Sequence, residues 1–197
     1  MHGKTHIEAV LEQSLMIAKT LDVNLDIVYT VACYHDMGLV RGKKNHELNS
    51  GKFLIEDQHL KTFFTEEERI IMKEAVEDHR GSRKEPPRNP YGKIVSDADR
   101  DTDLEILAIR QLPTSIKQCP EFHTFEEHFE NCYEYMKARS ENFKFNLRCE
   151  HPTMRERLDS FAQQFFDKEY TKTVYLTART YYEKNGLLDK IRNSPYE

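Results

Sequence analysis

Apolar residues return at helical spacing along nearly the whole chain, and this constrains the fold more than any other feature of the sequence. Ile7, Val10, Leu11, Ala18 and Leu21 make one stripe, and Ile27, Val31 and His35 fall on a second. A period near 3.6 residues buries one face of a helix, whereas a half-buried strand alternates every second residue. Further helices are predicted from about residue 45 to 57, from Thr65 onward, and from Ile94 through Leu107 to a stop before Pro113. Thr65 is followed three positions later by Glu68, the capping-box spacing, and the helix it opens carries Met72, Ala75, Val76 and His79 on one face. Beyond Pro120 the pattern recurs over about 123–139, 151–168 and 170–185, where Gly186 ends it. Lys172 to Thr177 is β-prone, but nothing else argues for a strand.

The expected fold class is therefore all-α: a helical core of about five helices over residues 1–112, with residues 113–197 as a C-terminal helical extension packed on it in the same domain. The 197 residues are enough to bury a substantial core. With 32% charged residues and only seven Gly and seven Pro, the composition is that of a soluble, helix-rich globule rather than a disordered chain. No apolar run reaches the roughly 20 residues that span a bilayer, and the start lacks the apolar stretch of a signal peptide, so the expected location is the cytoplasm and no membrane partner is expected. The four cysteines show no CxxC pair and read as reduced thiols. A formal net charge of −5 argues against a surface that grips double-stranded nucleic acid.

Against this background the stretch YHDMG, residues 34–38, is out of place: His35 and Asp36 close a segment, IVYTVACY, that otherwise reads as core. Paired polar groups at the end of an apolar run suggest partners brought from elsewhere in the chain. His6 leads the first stripe, with His2 four positions earlier as a rival, and Asp99 lies one turn beyond Val95. Asp97, Asp101 and Asp103 flank Asp99 and are candidates to support it. Imidazole nitrogen and carboxylate oxygen together suit Mn²⁺, Fe²⁺, Co²⁺, Ni²⁺ or Zn²⁺ and leave room for water.

The ordered set of an early His, an adjacent His-Asp pair and a later Asp resembles the HD superfamily of metal-dependent phosphohydrolases. The matching pieces are HIEAV at His6, ACYHDMG at His35 and Asp36, and SDADR at Asp99. His46 in NHELNSG and His79 in AVEDHRGS fit the fuller version of the signature, and the resemblance covers roughly residues 2–110. It implies a site with His6, His35, Asp36, Asp99, His46 and His79 as metal ligands, Asp36 bridging two ions, and Asp36 and His79 as the catalytic positions. One or two divalent ions (Mn, Fe, Co, Ni, Zn or Mg) are the implied cofactor. Two ions about 3.5–4 Å apart hold an attacking hydroxide and the oxygens of a phosphoryl group, which is what hydrolysis of a phosphoester or pyrophosphate requires. The sequence departs from the lysine-bearing HDxGK form, because Leu39 stands where that lysine would be.

Arg41 and Lys43 lie near that position and can substitute for it. The segment from Arg80 to Lys93 carries five basic residues against one acid, and Arg80, Arg83 and Arg88 are its candidates for an arginine clamp on phosphate. The expected partner is thus a small phosphorylated substrate, a nucleotide in particular. The extension is placed to shape the pocket or to form a homo-oligomer interface. The competing reading is a non-catalytic module that binds a nucleotide or a protein and uses the metal for structure.

Overall fold

The computed structural model describes residues 4–100, 102–143 and 147–193, which are helical almost throughout; no strand occurs among them. His2 and Asp101 lie outside the described residues. Two compact units divide the chain: one runs to Arg100 and includes Leu147–Met154, and the other takes the rest.

The first unit is built from α1 (Lys4–Ala18), α2 (Leu25–Tyr34), α3 (His46–Glu56), α4 (Glu66–Asp78) and α5 (Pro90–Ala98). Each start has a local cause. Asn24 accepts the Asp26 amide at 2.9 Å to cap α2. Thr65 and Glu68 exchange the paired hydrogen bonds of a capping box at α4. Asn89 caps α5 by accepting the Gly92 amide at 3.1 Å, and Pro90 takes a first-turn position whose amide needs no partner. The apolar stripes converge: Val10 and Ile17, Val28 and Val31, Leu54, Met72 and Val76, and Ile94 and Val95 are all at most 2% exposed. Burial of each such side chain favours folding by about 1.5–3 kcal/mol, so packing rather than helix propensity fixes these helices in place. Asp97, buried in α5, accepts the amides of Arg148 and Cys149 at 2.7–2.8 Å and so fastens Leu147–Met154 to the unit.

The second unit contains α6 (Leu104–Gln118), α7 (Phe125–Phe143), α9 (Lys168–Lys184), α10 (Leu187–Asn193) and most of α8 (Pro152–Phe166). Its core is aromatic: Phe129, Tyr133, Phe161, Phe165 and Tyr175 are buried, with the Tyr133 and Phe165 rings stacked at 5.0 Å.

Several boundaries differ from those read in the sequence. The first helix ends at Ala18, which leaves Leu21 39% exposed beyond it. The predicted fifth helix is two helices, because the chain leaves α5 at Asp99 and restarts where Asp103 caps α6 through the Glu105 and Ile106 amides. Pro113 lies inside α6 rather than after the helix. Proline has no amide to give the carbonyl four residues back, here that of Ile109, but the Tyr182 hydroxyl donates to that oxygen at 2.7 Å and replaces the missing bond. The first compact unit runs to Arg100 and takes in Leu147–Met154. Lys172 to Thr177 is helical within α9, and α10 follows after Gly186 turns the chain at φ +62°. All four cysteines are free, and among the described residues no helix is long and apolar enough to cross a membrane.

Candidate metal centre

The His-Asp dipeptide sits where α2 stops. Neighbouring residues within a helix point about 100° apart, so adjacent side chains do not normally converge. Here His35 is the last residue with helical dihedrals and Asp36 adopts φ −109°, ψ 4°, in the bridge region between helix and strand. The backbone turns out of the helix at that point and both side chains face the same space. A 3-10 turn over Met37–Arg41 then carries the chain to α3.

Gly38 makes the approach to α3 possible. Its amide donates to Ser50 Oγ at 2.7 Å, and a Cβ added there would lie 2.6 Å from the Ser50 amide nitrogen and closer still to the His46 carbonyl oxygen. Only a residue without a side chain lets the turn lie against α3 at this separation. That packing brings His46, at the start of α3, to Asp36.

The side chains meet in two groups that share Asp36. In the first, His6 Nε2 lies 3.6 Å from Asp36 Oδ2 and 3.2 Å from Asp99 Oδ1, while His35 Nε2 lies 3.5 and 3.9 Å from the same two oxygens. The two imidazole nitrogens are 3.4 Å apart. In the second, His46 Nε2 and His79 Nε2 lie 3.2 and 3.8 Å from the other oxygen, Asp36 Oδ1. The rings of His6, His35, His79 and His46 follow one another at centroid spacings of 5.4, 5.2 and 5.4 Å. His35 and His79 are buried, and Asp36 is 7% exposed.

The donor chemistry fits divalent cations. His35 Nδ1 faces the Ala32 carbonyl at 2.6 Å, His79 Nδ1 the Val76 carbonyl at 2.7 Å, and His46 Nδ1 the Lys43 carbonyl at 3.2 Å. A carbonyl only accepts, so each of these rings carries a proton on Nδ1 and turns Nε2 inward, the nitrogen that would ligate a metal. The electrostatics point the same way. Hydrogen bonds to Asp36 and Asp99 push the His6 imidazole up to about 9, and the bond to Asp36 raises that of His46. Burial alone would raise Asp99, but the hydrogen bond to His6 and the charge of the neighbouring imidazoles outweigh it and hold that carboxyl below its usual range. Burial lowers His79. Such a site favours positive charge among its carboxylates, whether a proton or a metal ion brings it. The groups His6–His35–Asp36 and Asp36–His46–His79 each bring their ligand atoms within 4.8 Å of one another.

The residues expected to bind substrate have other partners. Arg83 Nη1 lies 2.8 Å from Asp78 Oδ1, and Arg88 holds Asp78 through Nε at 2.8 Å and Glu77 through Nη2 at 2.8 Å. Asp78 is fully buried at the end of α4, so both arginines are its counter-ions, and these bonds raise the Arg88 guanidinium further. Arg83 and Arg88, expected to clamp phosphate, are thus both engaged with Asp78. The charge count of the loop gave no sign of the buried acid upstream. Arg41 stacks on the Phe53 ring at 4.4 Å, and Lys43 contributes its carbonyl to His46. Arg80 follows His79 and lies 3.5 Å from Glu47. Asp97, a candidate to support Asp99, binds Arg148 and Cys149 instead. Asp103 caps α6. Glu47, beside His46 Nδ1 at 3.4 Å, escaped notice in the sequence, although its position directly after a candidate ligand was a usable signal.

Comparison with known families gives one result: the model for the HD domain matches residues 3–103, just over half of the chain. No curated protein and no solved structure matches it.

Proposed function

The chain belongs to the HD-domain family of metal-dependent hydrolases, and on that premise we propose that it hydrolyses a phosphoester or pyrophosphate bond of a small phosphorylated molecule, a nucleotide in particular, in a two-ion site. The observation that carries the reading is the division of one carboxylate: Asp36 turns Oδ2 toward His6 and His35 and Oδ1 toward His46 and His79. His6, His35, Asp36 and Asp99 would hold one ion, and Asp36, His46 and His79 the other. Divalent ions so held supply Lewis acidity, lowering the pKa of water and offsetting charge that develops on phosphoryl oxygens.

The side chains of this protein do the rest. Asp36 fixes the spacing between the two groups. The Nδ1–H bonds to Ala32, Val76 and Lys43 orient the imidazoles before substrate arrives. Arg80, next to His79 in sequence and with 43% of its side chain exposed, would orient a phosphate.

The test is a metal count by mass spectrometry after loading with Mn²⁺ and a screen of phosphomonoesters, phosphodiesters and pyrophosphates. Two ions per chain with turnover of one class is expected. Asp36→Asn, which keeps the volume, should cut kcat/KM at least about a hundredfold with the helical CD signal retained. Full loading without turnover of any class would favour a binding module, and unchanged turnover in Asp36→Asn would remove Asp36 from the centre.

A further inference from the structure

His46 is held differently from the other imidazoles of the centre. His35 and His79 set Nδ1 against a carbonyl of their own helix at 2.6 and 2.7 Å. His46 reaches its carbonyl, that of Lys43 in the turn before α3, only at 3.2 Å. A carboxylate stands behind the same nitrogen: Glu47 Oε2 lies 3.4 Å from His46 Nδ1. The other oxygen, Oε1, lies 3.5 Å from Arg80 Nη1, and Arg80 directly follows His79. The Glu47 side chain is 17% exposed although it belongs to the first turn of a surface helix.

One carboxylate thus touches the ring of one imidazole of the second group and the guanidinium beside the other, reaching from the start of α3 to the residue just past α4. We infer that Glu47 is a positioning residue for the second ion, acting through the His46 imidazole and held in place by Arg80. The inference rests on the two-ion reading above. A carboxylate behind the N–H of a ligating imidazole fixes its tautomer and ring orientation and strengthens the opposite nitrogen as a donor. Here that support compensates for the long carbonyl contact, and it acts on the second group: in the first, His35 has the close Ala32 carbonyl in the same place. The ion pair with the half-exposed Arg80 adds little to folding itself. Removal of Glu47 is therefore felt by metal binding before it is felt by the fold.

The experiment titrates Mn²⁺ alone into the metal-free full chain, following heat by calorimetry and the signal of a spin-coupled manganese pair by EPR. The wild-type chain should show two steps. Glu47→Gln, which keeps the size of the side chain but removes the charge beside Nδ1, should weaken the second step about tenfold. Glu47→Ala should weaken it 10–100-fold and suppress the coupled signal, with the first step within about threefold of wild type. Should Glu47→Ala fail to fold, the near-isosteric Glu47→Gln carries the test. Two wild-type steps that persist unchanged in both variants overturn the inference alone, as does an equal weakening of both steps, which marks a purely structural role. A wild-type chain that takes up fewer than two ions overturns the two-ion reading and this inference with it.

Discussion

Replacing Gly38 with alanine tests how the fold delivers the second half of the centre. The new methyl would stand 2.6 Å from the Ser50 amide nitrogen and 2.8 Å from Asn49 Cβ, and nearer still to the His46 carbonyl. Ordinary carbon contacts begin near about 3.5 Å, so the first turn of α3 must retreat by close to an ångström, and backbone atoms cannot swing aside as a flexible side chain would. Overpacking costs about 1–3 kcal/mol and loss of the buried Gly38–Ser50 hydrogen bond about 1–3 more. At roughly 2–4 °C per kcal/mol for a chain of this size, the melting temperature should fall by about 5–20 °C. The selective effect falls on the site. His46 would move by more than the roughly 0.5 Å that a functional constellation tolerates, whereas His6 lies in α1, and His35 and Asp99 at the C-terminal ends of α2 and α5, away from the added methyl's contacts. Well below the melting temperature, metal content should therefore drop from two ions to one. Gly42 is the control: its φ of +98° makes alanine strained there too, but no atom lies within 4 Å of the added methyl, so Gly42→Ala should lower stability with both ions kept. Gly38→Ala with two ions bound at wild-type affinity would refute the claim that this close approach positions His46.

Two further outcomes follow from the same geometry. Because Asp36 and Asp99 raise His6 to about 9 in the metal-free chain, a proton bound there stabilises that form fully below about 6.5, and the contribution is lost as pH rises through 9. An ion must displace this proton, so Mn²⁺ affinity should rise about tenfold per pH unit between 7 and 9; calorimetry in buffers of different ionisation enthalpy should count at least one proton released, and a flat profile would place His6 outside the ligand set. Tyr182→Phe should destabilise the second unit by about 1–3 kcal/mol, because the Ile109 carbonyl loses its substitute for the Pro113 amide; an unchanged denaturant midpoint would show that the hydroxyl is dispensable.

The sequence carried the helices and the residues that gather around Asp36, but not the pairing of charges. Period, caps and breakers are local, so α2 to α4 were legible from Asn24, Thr65 and the apolar stripes. His35 and Asp36 stood out as a polar pair closing an apolar run, whereas His46 and His79 were named only through the resemblance to the HD superfamily. Pro113 misled because the repair comes from Tyr182, far along the chain, and no local rule predicts a distant hydroxyl. The partner of Arg83 and Arg88 was hidden for a related reason: a run of positive charge reads as a patch for anions, and the buried acid that pairs with it, Asp78, is ordinary in sequence. Glu47 was hidden by the reverse effect, since one more acid in a chain with net charge −5 attracts no notice until a ring nitrogen is found beside it.

The proposed anionic substrate does not depend on Arg83 and Arg88, which pair with Asp78. Because imidazoles ligate a metal in the neutral form, a ligand set with His35, His46 and His79 would bring two negative charges, those of Asp36 and Asp99. One divalent ion would leave the centre neutral and two would leave it doubly positive, in a mostly buried space where that charge is weakly screened. On the proposed reading, attraction for phosphate would come chiefly from the second ion, aided by Arg80, which pairs with Glu47 beside His46. Double replacement Arg83→Met and Arg88→Met should accordingly cost stability, by stranding buried Asp78, while KM for substrate stays within about threefold of wild type in the protein that remains folded. A large rise in KM with the fold intact would return those side chains to the substrate and the attraction to the loop.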